Sequence, residues 1–252
     1  MPTERASVHN VLWTSGWDST YRVADLLLTQ GAHVQPWYVI DPTRRSAKRE
    51  IATIDRIRDA LIQKDSTVAD RLLPLRIRQR DDIPTNPEVT AHFMELTRNE
   101  FWGGQYEWLA RLAAAEDVDL EISLKSDDRP SIRMAASIVP ASEGRFALGE
   151  SVNEPAFALF ERFRFPVFDI TKSRMHDLAR KKGFADILEM TWFCHSPSLW
   201  GAPCGFCGPC THAREEGFGW RVPAPTLPRR AEYMALRSVW LLRQKAARRA
   251  VY

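Results

Sequence analysis

Cysteine is scarce in this chain, four residues in 252, and all four fall between Cys194 and Cys210. A chain of this length can bury a sizeable core without disulfide staples. A cross-linked secreted scaffold is therefore excluded, and the clustering points to metal. No stretch approaches the roughly 20 apolar residues that a membrane-spanning helix needs, and no apolar run follows the polar opening Met1-Pro2-Thr3-Glu4-Arg5. A soluble, cytoplasmic protein with no membrane partner is expected. Neither sign of charge dominates: 35 basic against 32 acidic side chains leave a net +3, short of what announces a nucleic-acid binder. Internal repeats and low-complexity tracts are also missing, which excludes a repeat architecture.

What is present is an alternation of strand and helix signals. Val8 to Trp13 reads as a short apolar strand, and Thr14-Ser15-Gly16-Trp17-Asp18-Ser19-Thr20 leads from it into an amphipathic run over Tyr21 to Gln30, stopped by Gly31. His33 to Ile40 predicts a second strand, Ser46 to Lys64 a helix with Ile51, Ile54, Ile57 and Leu61 on one face, and Leu72 to Ile77 a third strand. Arg80 to Thr90, polar with two prolines, predicts a surface loop beside a site. A long helical region then runs to Glu116, followed by a fourth strand over Leu120 to Leu124 and an acidic turn at Lys125-Ser126-Asp127-Asp128. Phe165 to Lys172 enters another helix with Asp169 or Thr171 as cap. Pro223 to Pro228 marks a hinge before a basic helix over Ala231 to Arg249. Such alternation implies βαβ units: an α/β, Rossmann-like parallel sheet flanked by helices, with ligands beyond the strands' carboxyl ends. A domain over residues 1–190 is expected, with a cysteine segment and terminal helix over 191–252 packed on it.

Cys204-Gly205-Phe206-Cys207-Gly208-Pro209-Cys210 offers three thiolates at a spacing of two, and Cys194 a fourth from upstream. Two such pairs suit a tetrahedral zinc ion, the glycines permitting the tight turns. With four sulfurs the ion is coordinatively closed and structural. An iron–sulfur cluster, buried free thiols, or replacement of a sulfur by His195 or His212 remain open.

The polar loop after the first strand places unpaired backbone N–H groups and a helix dipole where phosphate is favoured. Thr14, Ser15, Gly16, Trp17, Asp18, Ser19 and Thr20 form the expected nucleotide site. Ser15, Ser19 and Thr20 are expected to add hydroxyl donors, and Asp18 to order the loop or hold Mg²⁺. Plain helix capping is the competing explanation.

Thr14 to Ser19 resembles the SGGxDS loop of the N-type ATP pyrophosphatases, aligned without a gap, with Thr14 in place of Ser and Ser15 in place of the first Gly. A Cβ at Ser15 implies a slightly shifted loop. Within that superfamily the chain is similar to the 7-cyano-7-deazaguanine synthases, which join this loop to a late cysteine motif. Phe165-Pro166-Val167 through Lys172, then Leu178-Ala179, Gly183 and Thr191-Trp192-Phe193-Cys194, carry the likeness, with Arg98-Asn99, Phe101 and Ser126-Asp127-Asp128 at matching places. The stretch Arg129-Pro130-Ser131-Ile132-Arg133 departs from the family.

The resemblance implies a HUP-type fold and an ATP-dependent ligase that adenylates 7-carboxy-7-deazaguanine. Pyrophosphate leaves first, then AMP as ammonia makes an amide, which a second ATP dehydrates to a nitrile. ATP, Mg²⁺ and a structural Zn²⁺ are the implied cofactors. Lys172 is the candidate cation for the developing charge, Asp18 its catalytic companion. Asp127 or Asp128 is placed to meet a guanine-like edge, and Arg98 or Asn99 the carboxylate or phosphate. Trp17, Phe101 and Trp102 are candidates for stacking, or simply core. A homodimer is expected.

Ligation of the activated acid to an amine, even one on a protein partner, is the variant that the altered middle motivates. Other pyrophosphatases of the superfamily, acting on tRNA bases or on deamido-NAD, also fit. A different class is a non-catalytic module gripping RNA or protein through the zinc knuckle and Arg229, Arg230, Arg237, Arg243, Lys245, Arg248 and Arg249.

Overall fold

The structure is a computed structural model that describes residues 8–98, 100–125, 129–150, 152 and 154–249, with backbone alone at 129–131 and 243–249. Seven strands form one sheet in the order β3-β2-β1-β4-β7-β6-β5. They are β1 (Val8–Leu12), β2 (His33–Ile40), β3 (Arg76–Gln79), β4 (Leu120–Glu121), β5 (Ile138–Pro140), β6 (Phe146–Leu148) and β7 (Phe163–Arg164). The helices are α1 (Trp17–Asp25), α2 (Ala47–Lys64), α3 (Val68–Arg71), α4 (Pro87–Thr97), α5 (Gln105–Ala115), α6 (Arg129–Met134), α7 (Lys172–Lys181), α8 (Ala185–Glu189), α9 (Gly208–Glu215) and α10 (Leu227–Arg249).

Strands β3, β2, β1, β4 and β7 run parallel, and β6 and β5 extend the far edge antiparallel. Alternation along β2 explains the layering. Val34 and Tyr38 pack with α1, α2, α7 and α8 on one face, while Trp37 and Val39 pack with α4, α5 and the turn over Pro155–Phe160 on the other. Both faces are covered, as a parallel sheet requires, and the result is a Rossmann-like three-layer α/β fold.

The expected first and second strands and second helix stand where the pattern placed them. Helix α1 begins at Trp17, before the run expected from Tyr21, and closes through a π-turn over Leu26–Gln30 on Gly31 at φ 65°. The third strand is displaced: Pro74 cannot donate to a ladder, so Leu72 makes only an isolated bridge to Val34 and pairing proper starts at Arg76. The long helical region is two helices, split before Gly103-Gly104. Thr171 rather than Asp169 caps α7, accepting from the Arg174 N–H at 3.2 Å.

Candidate functional site

The strand order reverses beside β1: β2 and β3 lie on one side, β4 and its followers on the other. Ligands of open α/β sheets bind outside the carboxyl ends of the strands at such a point, and the loop after β1 occupies it. The Trp13 N–H still donates to the Trp37 carbonyl at 2.8 Å, after which the chain leaves the sheet. Ser15 turns it with φ 60°, a left-handed conformation that disfavours any residue with a Cβ. Gly16 then precedes α1 without any side chain capping the helix, so the first turn directs its N–H groups to whatever fills the space in front.

That space is two adjoining cavities of about 310 Å³ each, within the range of small-ligand sites. Thr14, Gly16, Asp18, Arg44, Glu50 and His195 line both. One cavity, with Ser19 on its wall, lies over the ends of β1, β2 and β4 and reaches Tyr106 and Trp108 of α5. The other runs beneath the cysteine segment and is lined by Trp17, Lys125, Lys172, Trp192, Phe193, Glu216, Phe218 and Arg221. Two expected hydroxyls turn away. The Ser15 Oγ is buried with no hydrogen-bond partner, and the Thr20 hydroxyl accepts the Trp13 indole N–H at 3.0 Å inside the core. The Ser19 hydroxyl stays with the loop, 3.4 Å from the Thr14 N–H and the Gly16 carbonyl.

Lys172, the expected cation, does reach the site, but not alone. Its ammonium and that of Lys125 converge on Glu216, Lys125 at 2.9 Å, and Lys172 also lies 4.0 Å from Asp18. Burial raises the Glu216 carboxyl, yet the two ammoniums outweigh it and hold the group below the usual carboxylate range. The result is a charged three-membered cluster on the cavity wall. Neither Lys125 nor Glu216 was visible as a site residue in the sequence, because 91 positions separate them and no local motif joins them.

Three further lining residues, Glu50, Arg44 and Arg221, escaped sequence reasoning, and His195 was weighed only as a substitute for a cysteine sulfur. Glu50 is buried and accepts from Tyr38 at 2.8 Å and Ser46 at 2.5 Å, and Arg44 ion-pairs with Asp41 at 3.7 Å. Burial, then the Arg44 charge, push His195 down to about 4, so its imidazole is neutral at pH 7. Arg221 donates to the hydroxyl and carbonyl of Thr191 at 3.0 and 2.6 Å, and sits over the rings of Phe193 and Trp17 at 5.4 and 5.5 Å. Burial lowers its pKa from the ordinary arginine value.

Other expected contacts lie elsewhere. Arg98 is exposed at the end of α4 and pairs with Glu95 at 2.5 Å, lining neither cavity. Asn99, Ser126, Asp127 and Asp128 fall outside the described residues. Trp102 is core, against Phe160 and Tyr106, while Phe101 is exposed. Trp17 packs on Phe218 with ring centroids 4.8 Å apart and lines the cavity under the cysteines.

The four thiols come together: Cys194, Cys204, Cys207 and Cys210 are buried, with all ligand atoms within 4.8 Å of one another. Sγ separations of 3.5, 3.8 and 3.9 Å link Cys207 to Cys210, Cys207 to Cys194 and Cys204 to Cys210. These residues could hold a metal. The cluster is not remote from the loop, since α9, which starts one residue after Cys207 and carries Cys210, is followed directly by Glu216.

No family model and no curated protein matches this chain. Among solved structures it is similar to the U34-tRNA thiolase NcsA from Methanococcus maripaludis with its [4Fe-4S] cluster, at TM-score 0.43 and 14% identity, over 94% of this chain and 73% of that one.

Proposed function

We propose that this chain is an ATP-dependent carbon–nitrogen ligase that activates a carboxylate, 7-carboxy-7-deazaguanine, as its adenylate. The observation that carries the reading is the uncapped start of α1 at the switch point, facing two adjoining cavities with two lysines on the wall. A triphosphate meets N–H groups and the positive end of the dipole there, and Asp18 supplies a carboxylate for the accompanying Mg²⁺. One cavity takes the nucleoside and the other the acid, which brings a carboxylate oxygen to the α-phosphorus. The new C–O–P linkage forms as the bond to pyrophosphate breaks. An amine nitrogen then attacks the carbonyl carbon, AMP departs, and the surplus proton leaves the nitrogen. Lys172 and Lys125 neutralise charge on the phosphates, and Glu216 holds both ammoniums in place.

Incubation with ATP, ammonia and the acid tests this. Acid-dependent exchange of labelled pyrophosphate into ATP, with AMP as product, is expected. ADP as product, or no nucleotide turnover with salt-sensitive RNA retention instead, refutes it. Mass spectrometry of the product separates a nitrile from a conjugate on an amine or a protein, the second form of the same proposal.

The thiolate site supports zinc as resident ion. Tetrahedral Zn–S bonds of about 2.3 Å imply sulfur–sulfur edges of about 3.8 Å, close to the three separations of 3.5, 3.8 and 3.9 Å within the cluster. A cubane cluster places four irons and four sulfides between its cysteines and spreads them wider. Metal analysis with a visible spectrum separates the two: one zinc per chain in a colourless protein is expected, and brown protein with iron overturns it.

A further inference from the structure

Helix α10 is apolar on two sides, and the described residues cover one of them. Arg229, Glu232, Tyr233 and Leu236 close over Ser196 and Cys204, and the Tyr233 ring stacks on Phe206 with centroids 5.7 Å apart. These positions recur at helical spacing and define the packed face. On the opposite side Leu227, Met234 and Leu241 repeat every seven residues with Ala231 and Ser238 between them, so the intervals run four, three, four, three. Large knobs alternating with small residues that leave holes form a seam suited to a second helix. All five are exposed, as is Leu242 beside them, Leu227 to 81% and Leu242 to 67%. A continuous apolar strip of about four turns, left open to water, marks an interaction surface.

The charges along the strip decide what covers it. Arg230 and Arg237 flank the seam on one edge, both exposed, and among the described residues neither has a carboxylate within ion-pair distance. Arg237 lies beside the Tyr233 hydroxyl. Glu232, the one acidic residue in the helix, sits on the packed side, where it accepts the Leu199 N–H at 2.7 Å. A second copy of α10 therefore brings no carboxylate to this edge, and an antiparallel pair centred on Met234 sets arginine against arginine. A lipid surface is poorly matched too. Ala231 and Ser238 give little bulk to insert, and Trp240 shares the packed side and is half-buried. We infer that the outer face of α10 docks an amphipathic helix of a partner protein whose apolar stripe is edged with aspartate or glutamate. Leu227, Met234 and Leu241 enter the partner's stripe, and Arg230 and Arg237 select the charge of its edge. No α10 residue lines either of the two cavities at the end of β1, so the surface does not depend on the reaction proposed for them.

The probe is a synthetic helical peptide of about three heptads, with leucine at the two seam positions and glutamate along both edges, which keep it from pairing with itself at neutral pH. Fluorescence anisotropy of the labelled peptide, titrated with the full chain, is expected to show saturable binding. A lysine-edged version of the same peptide should bind at least about tenfold more weakly, the worth of two edge ion pairs against two repulsions. Arg230→Glu combined with Arg237→Glu is expected to reverse the preference. Met234→Glu combined with Leu241→Glu is expected to weaken the glutamate-edged peptide about a hundredfold and to leave the melting temperature unchanged, because both side chains are exposed. The comparison of the two peptides on the native protein stands whether or not a variant folds. No binding of the glutamate-edged peptide, equal binding of both, or binding indifferent to the Met234 and Leu241 substitutions overturns the inference. A native dimer in sedimentation that the Met234→Glu, Leu241→Glu protein loses assigns the face to a second copy instead. Flotation with phosphatidylserine vesicles, lost in that same variant, assigns it to lipid, and either result overturns the inference as well.

Discussion

The backbone N–H of Trp192 donates to the carbonyl oxygen of Ser15 at 2.9 Å, so the chain entering the cysteine cluster is bonded to the turn that starts α1. The cluster is thereby part of the cavity's architecture. If the cysteines hold zinc, as proposed, removing the ion should loosen Trp192, Phe193 and Glu216, which line the cavity beneath them. Stripping the ion with a strong chelator is expected to release one zinc per chain, to lower the melting temperature by more than ten degrees, and to abolish acid binding, because structural zinc sites contribute folding energy directly. Melting curves beside a colorimetric zinc assay check this. An unchanged melt after complete release would show that the thiolates brace nothing.

The shared grip of Glu216 on two lysines separates a charge role from a positioning role. Lys172→Met removes the ammonium itself and is expected to lower kcat by about 10²- to 10³-fold, the usual cost of one donor to developing charge, with little change in KM for ATP. Glu216→Gln leaves both ammoniums but releases them, and about a tenfold loss in kcat is expected. Steady-state AMP release measures both. A Lys172→Met enzyme within twofold of native kcat removes this lysine from the chemistry.

Away from the site, Glu121 of β4 is buried against His9 at 2.7 Å, with Arg22 donating to both carboxylate oxygens at 2.7 and 3.0 Å. Burial raises its pKa, but these partners prevail and hold it at about 2 instead of 4.5. A depressed carboxylate pKa contributes stability that is complete above the unfolded value and is lost as pH falls from about 4.5 to about 2. The linkage is worth roughly 3 kcal/mol. Glu121→Gln is expected to destabilise the protein by a similar amount at pH 7, since it leaves the buried guanidinium of Arg22 poorly matched. It should also flatten the acid limb of the stability curve, read by urea melts between pH 7 and pH 3. An acid limb as steep as native would assign the sensitivity to other carboxylates.

Local periodicity made the β1–α1–β2–α2 half legible, because each element there is long and has one clear period. The far side of the sheet was not legible: β7 and the antiparallel β6 and β5 are two or three residues each, too short to show alternation. At the site the contrast is similar. Thr14 to Ser19 and the cysteines are contiguous or regularly spaced, so chemistry can be read from residue type and interval. Lys125, Glu216 and Arg221 meet only because β4, α9 and the turn over Gly219–Arg221 fold to one cavity, and no interval in the chain records that meeting.

Ser15 carries the last prediction. Its φ of 60° places a Cβ where the left-handed backbone costs about 1–2 kcal/mol, and its buried hydroxyl has no partner, a further penalty. Glycine removes both costs. It adds back about 0.4–1 kcal/mol through the more flexible unfolded chain, so the balance favours Ser15→Gly by about 1 kcal/mol, a few degrees in melting temperature for a chain of this size. Because the hydroxyl faces the core and not the cavities, the exchange of pyrophosphate should remain within about twofold of native, on the scale where such a change costs under half a kcal/mol. Ser15→Val should do the opposite, since β-branching is poorly tolerated at positive φ. Thermal melts and exchange assays on the two variants decide it. A destabilised Ser15→Gly protein would mean that the turn does not sit in the left-handed region in solution.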